Sequence, residues 1–435
     1  MGAGFLGMRG TGDWATDERP LNWRQGIMYL YPNGSAPLTA MLSMMGETRL
    51  DDAQWHWWTK GLANQGGAIT AGQIYTDAVL SSAYTTGGTA GDTVYVKMAA
   101  LNTATLAGVD EFREGHQVTL RDASDYNMTV NGKVTAVVAN GASSYVAVKL
   151  LEDDDNGDST YLANADNILI TGNINSEGAS MPDGVAYDPV KWYNYTQIFR
   201  TPLSITRTAM RTKLRTVQSY KEMKREALEL HSIEMEKALL WGIRTENTGS
   251  NGKPERTTLG LINAIKDNSS GTNLDYVGDS TYSGQTWVQG GEDWLDESLE
   301  VIFRYGSNEK MAFCGSGAML GIQRLAKAYG NIQLTPASKT YGMNIVSWLT
   351  PFGTLHLKTH PLFSFNSVDR NTAVIFEPKL LKYRFIDDTT FKPDTSSGSS
   401  SIDGKDEEYL TECGLEFHHP TAMGYLTGFN QANTA

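Results

Sequence analysis

The segment "SYKEMKREALELHSIEMEKALLWG", residues 219–242, carries the clearest structural signal in the sequence. Ser219 and Glu222 have the spacing of a capping box, and Gly242 suits the left-handed residue that ends many helices. The segment therefore predicts one long helix, a rod of roughly 33 Å. Apolar side chains recur along it at helical spacing, with Glu234 in the one polar position of the stripe: Tyr220, Met223, Ala227, Leu230, Ala238 and Trp241.

Ahead of this helix, residues 86–181 consist largely of short runs in which apolar and polar residues alternate, which is typical of β-strands. Asn131-Gly132 and Asn156-Gly157 have the composition of two-residue hairpin turns. The region therefore predicts a small antiparallel β barrel or sandwich with a core of its own.

Extended segments at 63–85 and 182–212 flank this β module, and we interpret them as two limbs of one loop that carries the module. Residues 1–62 are irregular and rich in Gly and Trp. Ser35 as a cap and Pro37 in a first turn predict one short helix there. The aromatic run "QWHWWTKGL" that follows predicts a buried or interface anchor.

Beyond the long helix, residues 285–372 alternate between helical and β patterns. "EDWLDESLEVIFRYG" predicts a helix, and "KMAFCGSGAMLGIQRLAKAY" predicts a strand followed by a helix. Two further strands are expected to meet at Pro351-Phe352-Gly353. Residues 373–435 have mainly β character, so the chain as a whole predicts an α+β fold.

The composition excludes several classes of protein. The chain has 435 residues, 40% hydrophobic and 20% charged, which is ordinary for a globular protein and long enough for more than one structural unit. The sequence contains no run of 18 apolar residues, so no membrane span is predicted. Its first residues do not resemble a signal peptide. Two cysteines argue against a disulfide scaffold, and a net charge of −13 argues against general binding to nucleic acid.

The turn Gly315-Ser316-Gly317 invites comparison with two kinds of catalytic or cofactor site. A dinucleotide-binding loop needs a third glycine closer than Gly321 and an acidic residue about twenty positions later, and neither requirement is met. A hydrolase nucleophile elbow needs glycines two residues before and after the serine, where this chain has Cys314 and Ala318. The turn therefore predicts close packing of a strand on a helix, and we expect no catalytic residue and no cofactor.

Candidate metal ligands are also isolated in the sequence. "LLEDDDNGDST" lacks the spacing and the final glutamate of a helix-loop-helix calcium site, so it predicts an acidic hairpin tip. His356 and His360 share one face of a predicted strand, but Cys314 and Cys413 have no companion ligand at zinc-site spacing. We expect no metal site.

Basic residues are concentrated between Arg200 and Arg225, where eight of them occur with one acid, Glu222. In a chain of net charge −13 this is a local asymmetry. Two interpretations remain open: the basic side chains pair with acidic surface on this chain or a neighbouring copy, or they contact a polyanion.

The order of these elements resembles the major capsid proteins of tailed bacteriophages, which share the fold named after the phage Hong Kong ninety-seven. The likeness covers most of the chain and is closest to a subfamily with a β module inserted in its extended loop. Individually loose segments carry it in the family's order: "SAPLTAMLSMMGE" to "WHWWTKGL", "EGHQVTLRD", "NYTQIFRTPLSITRTA", "MEKALLWG" with "RTTLG", "YGMNIVSWLTPFGTLHLKTHPLF" and "LTECGLEFHHPTAMGYLTGF".

The resemblance implies a division of the chain into five parts. They are an amino-terminal arm at 1–62, extended-loop limbs at 63–85 and 182–212, an inserted β subdomain at 86–181, a peripheral domain at 213–284 and 373–435 with a spine helix at about 219–242, and an axial domain at 285–372. It further implies a shell of hexamers and pentamers around double-stranded DNA, bound without sequence specificity. No membrane is involved.

Other partners follow from the same resemblance. The short arm leaves no room for a built-in scaffolding domain, so a separate scaffolding protein is expected, together with a portal and decoration proteins. Assembly is expected in the cytoplasm of the host bacterium, and the final location is the virion capsid. The family's covalent cross-link between lysine and asparagine maps onto no pair of residues here. Candidate assembly-interface residues are Trp55, Trp57, Trp58, Tyr195, Ile198, Phe199, Arg207 and Arg211.

Two alternatives stay open at this point. One is another β-rich virion protein, such as a tail or fibre component. The other is a nucleotide-binding enzyme built on the Gly315–Gly317 turn.

Overall fold

A computed structural model describes residues 36–44, 47–61, 65–98, 111–125, 128–140, 143–154, 162–212, 219–268, 270–329, 334–336, 346–393 and 403–433. The chain divides into two compact units, one formed by residues 60–190 and the other by residues 1–59 together with 191–435. We call them the inserted unit and the main unit.

The described residues form both helices and strands, numbered here in chain order. The helices are α1 (Pro37–Met44), α2 (Arg207–Arg211), α3 (Ser219–Trp241), α4 (Leu261–Asn268), α5 (Trp287–Phe303), α6 (Ser316–Tyr329) and α7 (Pro361–Phe365). The strands are β1 (Glu47–Arg49), β2 (Gln54–Thr59), β3 (Gly66–Tyr75), β4 (Thr93–Met98), β5 (His116–Arg121), β6 (Thr129–Val138), β7 (Tyr145–Leu150), β8 (Asn167–Asn173), β9 (Val190–Tyr195), β10 (Gln197–Thr206), β11 (Thr245–Thr248), β12 (Pro254–Thr257), β13 (Asn273–Asp275), β14 (Glu309–Cys314), β15 (Leu334–Pro336), β16 (Val346–Thr350), β17 (Gly353–Thr359), β18 (Ala373–Phe376), β19 (Leu381–Lys392), β20 (Gly404–Phe417) and β21 (Gly424–Thr427).

The inserted unit is a closed antiparallel barrel with the strand order β3-β4-β7-β6-β5-β8, in which β3 pairs with β8 to close the ring. Alternate residues of the strands point inward, so each strand buries one face and exposes the other. The predicted barrel or sandwich is thus a barrel. Its core is made mainly of β-branched residues, including Ile74, Val96, Val118, Val134, Val148 and Ile168.

Strand β6 shows that the predicted hairpin turn at Asn131-Gly132 is wrong, because both residues lie within this single strand. Asn131 pairs with Thr119 and Gly132 with Val118 across β5. A Cβ atom on Gly132 would overlap the side chain of Val148 on β7, so the glycine makes room for tight packing between these neighbouring strands. The second predicted turn, at Asn156-Gly157, lies outside the described residues.

Strand β3 is one of the strands that form the barrel, whereas its residues are predicted from the sequence to form a limb of the extended loop. Ile69 and Ile74 of β3 are buried in the barrel core. The compact unit accordingly spans 60–190 rather than 86–181. Strand β2 comes directly before the inserted unit in the chain, and β9 comes directly after it. These two strands pair with each other, so the two ends of the insertion are adjacent.

The main unit contains a seven-stranded sheet with the order β13-β21-β18-β14-β17-β16-β15. Its central strand β14 is buried on both faces: Met311 and Phe313 belong to one hydrophobic core, and Ala312 and Cys314 to the other. A strand covered on both sides is expected to be a continuous apolar run, as "MAFC" is. The predicted strand and helix of this region are β14 and α6, and the predicted turn at Pro351-Phe352 joins β16 to β17.

A second sheet of the main unit has the order β1-β19-β20-β10. The long predicted helix is α3, which packs against β10 and β20 of this sheet. The predicted apolar stripe of α3 is partly wrong, because Leu230 is 49% exposed. The helix instead buries a series of residues spaced four apart, which are Ala227, His231, Met235 and Leu239. Glu236 and Leu240 are buried on the same face.

Candidate assembly surfaces

Strand β2 holds the aromatic cluster predicted to anchor assembly, and its alternation divides that cluster in two. Trp55 and Trp57 are buried in the core of the main unit, and the Trp57 ring meets Phe417 edge-on at 5.3 Å. These two tryptophans therefore contribute to the core of the subunit itself, and their role in contacts between copies stays a prediction. Trp58 points to the other face and is 59% exposed, so it stays available to a neighbour.

Strand β10 divides its candidates in the same way. Phe199 is buried against the spine helix, with its ring 6.5 Å from that of His231. Ile198 points away from the helix and is 58% exposed. Tyr195, at the end of β9, is half-buried and meets Tyr193 edge-on at 5.8 Å. The outward face of this sheet, with Ile198 on it, is the surface that remains open.

The basic run pairs with acidic residues of β20 and of the turn before it. Arg200 contacts Glu408 at 2.6 Å, and Arg207 contacts Asp403 at 2.7 Å. The hydrogen bond from Arg207 lowers the pKa of the Asp403 carboxyl. This pairing within one chain accounts for Arg207 without a neighbouring copy. Arg211 is exposed at the end of α2, while Lys213 and Arg215 lie outside the described residues.

Lys224 completes this charged layer on the spine helix. Its ammonium lies 3.8 Å from the carboxylate of Glu407 and 3.7 Å from the centre of the Phe391 ring. Tyr220 also donates a hydrogen bond to Glu407. The first turns of α3 are thereby attached to strands β19 and β20.

A buried polar cluster fastens the other half of the spine helix. Glu236 accepts hydrogen bonds from the backbone amides of Leu38 and Thr39, both at 2.7 Å, and from His360 at 2.8 Å. The amides belong to the first turn of α1, where unpaired N–H groups favour a carboxylate. Glu236 thus joins the amino-terminal helix, the spine helix and the start of α7.

His231 forms a second buried polar link along α3. Its two ring nitrogens hydrogen-bond to the hydroxyls of Thr201 on β10 and Thr411 on β20, at 2.9 and 2.7 Å. Burial lowers the pKa of this histidine, with a smaller opposing effect of Glu234. A neutral ring here satisfies both threonines without bringing a charge into the interior.

The structural roles of Glu236, His231 and His360 are not predicted from the sequence. The polar position in the predicted helical stripe is Glu234, which is exposed. The sequence does contain one indication of burial for Glu236. It lies four residues before Leu240 and one after Met235, so it shares a helix face with apolar residues. Its partners are far away in sequence, so no local pattern reveals them.

The turn at Gly315–Gly317 packs closely against residues 370 and 371. A Cβ atom on Gly315 would overlap the backbone of Arg370, and one on Gly317 would overlap the side chain of Asn371. The amide of Ser316 donates to the hydroxyl of Ser364 at 3.2 Å. The glycines therefore serve close packing of the β14–α6 junction, as the sequence predicts.

The other chemistry-bearing residues have structural partners. His356 hydrogen-bonds to the hydroxyl of Ser347 at 3.1 Å, and His418 to the carboxylate of Glu416 at 2.8 Å. Burial raises the pKa of the Cys314 and Cys413 thiols to about 12. Within the described ranges, no group of three or more His, Cys, Asp or Glu side chains is arranged to hold a metal ion. No helix among them is long and apolar enough to cross a membrane.

Comparisons with known proteins show what this chain is similar to. The major capsid protein of Pseudomonas phage PaMx41 is 25% identical over 93% of this chain and 91% of its own length. Among solved structures, one of Mycobacterium phage Adephagia has a TM-score of 0.45 at 10% identity and covers 95% of both chains. One of Microbacterium phage Oxtober96 has a TM-score of 0.44 at 10% identity and covers 96% of this chain and 98% of its own.

The protein is therefore of the class of phage major capsid proteins, structural components of a virus particle, as the resemblance in the sequence implied. It belongs to the SU10 major capsid protein family, whose model matches residues 21–430.

Proposed function

We propose that this chain forms the icosahedral head of a tailed bacteriophage, by assembling into hexamers and pentamers that enclose double-stranded DNA. The observation that carries the proposal is the match of the capsid-protein family to residues 21–430, nearly the whole chain. The fold is of the kind named after the phage Hong Kong ninety-seven, with α3 as the spine helix.

The surfaces of the subunit support self-assembly. The sheet that contains β10 is covered by α3 on one face and presents Ile198 on the other, while β2 presents Trp58. Large contiguous apolar patches mark interaction surfaces, and we assign Ile198 and Trp58 to two such contacts with neighbouring copies. A closed shell requires contacts between different surfaces of neighbouring copies, and such side chains supply area to bury.

We assign the parts of the subunit accordingly. The amino-terminal arm includes α1, the peripheral domain includes α3 and the β10 sheet, and the axial domain includes α5, α6 and the β16–β17 hairpin. The extended loop carries the barrel, with its boundary at 60–190. Strands β18 and β21 come from the region assigned to the peripheral domain, yet they lie in the sheet of the axial domain.

Partners outside the shell follow from the same proposal. A separate scaffolding protein guides assembly in the cytoplasm of the host bacterium, and a portal and decoration proteins complete the head. Contact with DNA is weak and independent of base sequence, because a subunit of net charge −13 repels a polyanion on average. That property suits a genome that has to be packaged and later released.

Electron microscopy and sedimentation velocity of the purified full-length chain, alone and with the phage's scaffolding protein, test the proposal. Hexamers, pentamers, sheets or closed shells are the expected products. Elongated trimers would instead support a tail or fibre component. Saturable binding of ATP or NAD to a small discrete oligomer would support the enzyme alternative, against which the packing of Arg370 on the Gly315 turn already argues.

A further inference from the structure

Helices α6 and α7 and residues near Asn430 enclose an open groove of about 500 Å³ in the main unit. Its walls combine two kinds of side chain. Leu320 and Phe365 are apolar and are 36% and 61% exposed, while Arg324 and Arg370 are exposed cations. A surface that keeps large apolar side chains in water beside guanidinium groups is suited to a partner with both apolar and acidic atoms.

The two arginines have unused capacity for such a partner. Arg324 donates to the amide oxygen of Asn430 at 2.6 Å, and that oxygen carries no charge. Among the described residues, neither Arg324 nor Arg370 forms an ion pair with a carboxylate. A guanidinium presents several N–H donors in one plane and binds carboxylates in a bidentate manner. Both arginines can therefore still donate hydrogen bonds to an acidic group.

Helix α5 of the same domain presents an acidic face. It carries five acidic residues and no basic residue between Trp287 and Phe303, and the acids fall in one arc opposite the buried side of the helix: Glu292, Asp293, Asp296, Glu297 and Glu300. Of these carboxylates, Glu300 pairs with Arg304 at 2.7 Å, at the far end of the helix.

Among the described residues, Glu292 and Asp296 of the acidic face form no salt bridge with a basic side chain. Burial raises the pKa of both carboxyls, and the neighbouring charges that act on them are acids, Asp293 for both and Asp296 for Glu292. If an arginine of the groove lay close in the same chain, it would lower these pKa values. The acidic face and the basic groove therefore do not neutralise each other within one copy.

We propose that the Arg324–Arg370 groove of one subunit receives the acidic face of α5 from a second copy of this chain. The contact joins two different surfaces and is therefore heterologous, the kind that generates a ring when the rotation between copies closes. Complementary charge sets the register of the neighbours, and covering Phe365 and Leu320 adds buried apolar area. The inference rests on the proposed function, since it names one of the contacts through which capsomers form.

A charge exchange tests this contact. The acid-reversed chain carries Asp293→Lys and Asp296→Lys, the groove-reversed chain carries Arg324→Glu and Arg370→Glu, and the combined chain carries all four changes. All four positions are exposed, and circular dichroism confirms that each chain folds. Lys149→Glu, an exposed reversal on barrel strand β7 outside the basic run and outside the proposed contact, is the matched control.

We expect each reversed chain to lose at least about tenfold in the fraction that sediments as capsomers or shells, equivalent to about 1.4 kcal/mol of contact free energy. The combined chain should recover assembly to within about threefold of the unchanged chain, since complementarity is restored with the signs exchanged. Lys149→Glu should assemble normally.

Two outcomes would overturn the inference, and a third would overturn the proposed function. A combined chain as defective as the singly reversed ones shows that the two surfaces do not meet. Normal assembly of the groove-reversed chain shows that the groove is not a contact, and if those shells also package less DNA, the groove's ligand is nucleic acid. Failure of the unchanged chain to assemble at all, with or without the phage's scaffolding protein, would count against the proposed function itself.

Discussion

Nε2 of His360 donates a hydrogen bond to Oε1 of Glu236 at 2.8 Å, and both side chains are fully buried. Nδ1 of the same histidine accepts the backbone amide of Leu362, so the proton of a neutral ring is on Nε2, facing the carboxylate. The same carboxylate also binds the first turn of α1 through Leu38 and Thr39. One acidic group thus fixes three elements that are remote in sequence.

Replacing Glu236 by Gln should destabilise the subunit by about 3 kcal/mol or more. The amide keeps the shape but turns two hydrogens toward groups that are themselves donors, which leaves buried N–H groups unpaired. Denaturant unfolding measures the loss, and hydrogen exchange should show residues 37–44 exposed first. Glu226→Gln, an exposed change on the same helix, is the control and should stay within about 0.5 kcal/mol of the unchanged protein. Equal stability of the two variants would contradict the structural role of Glu236.

The spine helix should tolerate loss of a side chain at Leu230 but not a break in its backbone. Leu230→Pro removes a hydrogen bond and clashes with the preceding turn, at a cost of about 3 kcal/mol or more. Leu230→Ala changes a half-exposed side chain and should cost about 1 kcal/mol or less. We expect shells, seen by electron microscopy, from the Ala variant and insoluble protein from the Pro variant. Normal particles from both would show that this helix does not set the spacing of subunits.

Glu416 gives the subunit a component of acid sensitivity. Burial alone would raise its pKa, but hydrogen bonds from His418 and Arg384 and the charge of Arg384 outweigh it and lower the pKa to about 2. A depressed carboxyl pKa stabilises the native state above the ordinary value near 4.5, and this contribution is lost as the pH falls from there toward 2. Arg384→Met should therefore cost about 2 kcal/mol at neutral pH.

The difference in the free energy of unfolding between Arg384→Met and the unchanged protein should shrink as the pH is lowered from about 5 to 3. Denaturant unfolding at each pH measures it. Arg384→Lys keeps the charge but not the two hydrogen bonds at 2.6 and 3.1 Å, and should fall between the two. A difference that is constant with pH would place the effect in packing rather than in the ion pair.

The barrel should fold on its own only when its first strand is included. A fragment of residues 60–190 contains β3, which pairs with both β4 and β8 and closes the ring. A fragment of residues 86–181 lacks that strand and leaves two open edges over an exposed core. We expect cooperative thermal unfolding with β-type circular dichroism from the longer fragment and aggregation or disorder from the shorter one. Two equally folded fragments would show that β3 is dispensable.

The Gly315–Gly317 turn should respond to volume rather than to lost chemistry. Gly315→Ala places a methyl group against the backbone of Arg370 and should destabilise by about 2 kcal/mol. Ser316→Ala removes a hydroxyl with no catalytic partner and should leave assembly nearly intact. Saturable binding of ATP or NAD that Ser316→Ala abolishes would contradict this interpretation.

Much of the element order could be predicted because it depends on local pattern. The α3 helix, the β14–α6 pair and the β16–β17 turn each follow from periodicity and turn residues within a few positions of one another. The Asn131-Gly132 error has a local cause as well. The dipeptide favours a turn in isolation, but pairing with β5 and β7 holds it in a strand.

The candidate surfaces were harder to predict because exposure is a property of the folded chain. Trp55 and Trp58 belong to one aromatic run, and only the strand's alternation separates the buried ring from the exposed one. Glu236 meets Leu38 across 198 positions and His360 across 124, so its role depends on tertiary contacts. That Arg207 pairs with an acidic residue could be predicted from the sequence. That the partner is Asp403, 196 positions away, could not.

Strand β14 has a mechanical consequence, because its alternate side chains belong to the cores on both sides of one sheet. Neither core can be opened without stripping a wall from the other, so the two should melt in a single step. If the proposed function holds, we expect a main unit built in this way to respond to internal pressure as one rigid body. When the particle changes shape, subunits of this kind should move against one another while each keeps its own form.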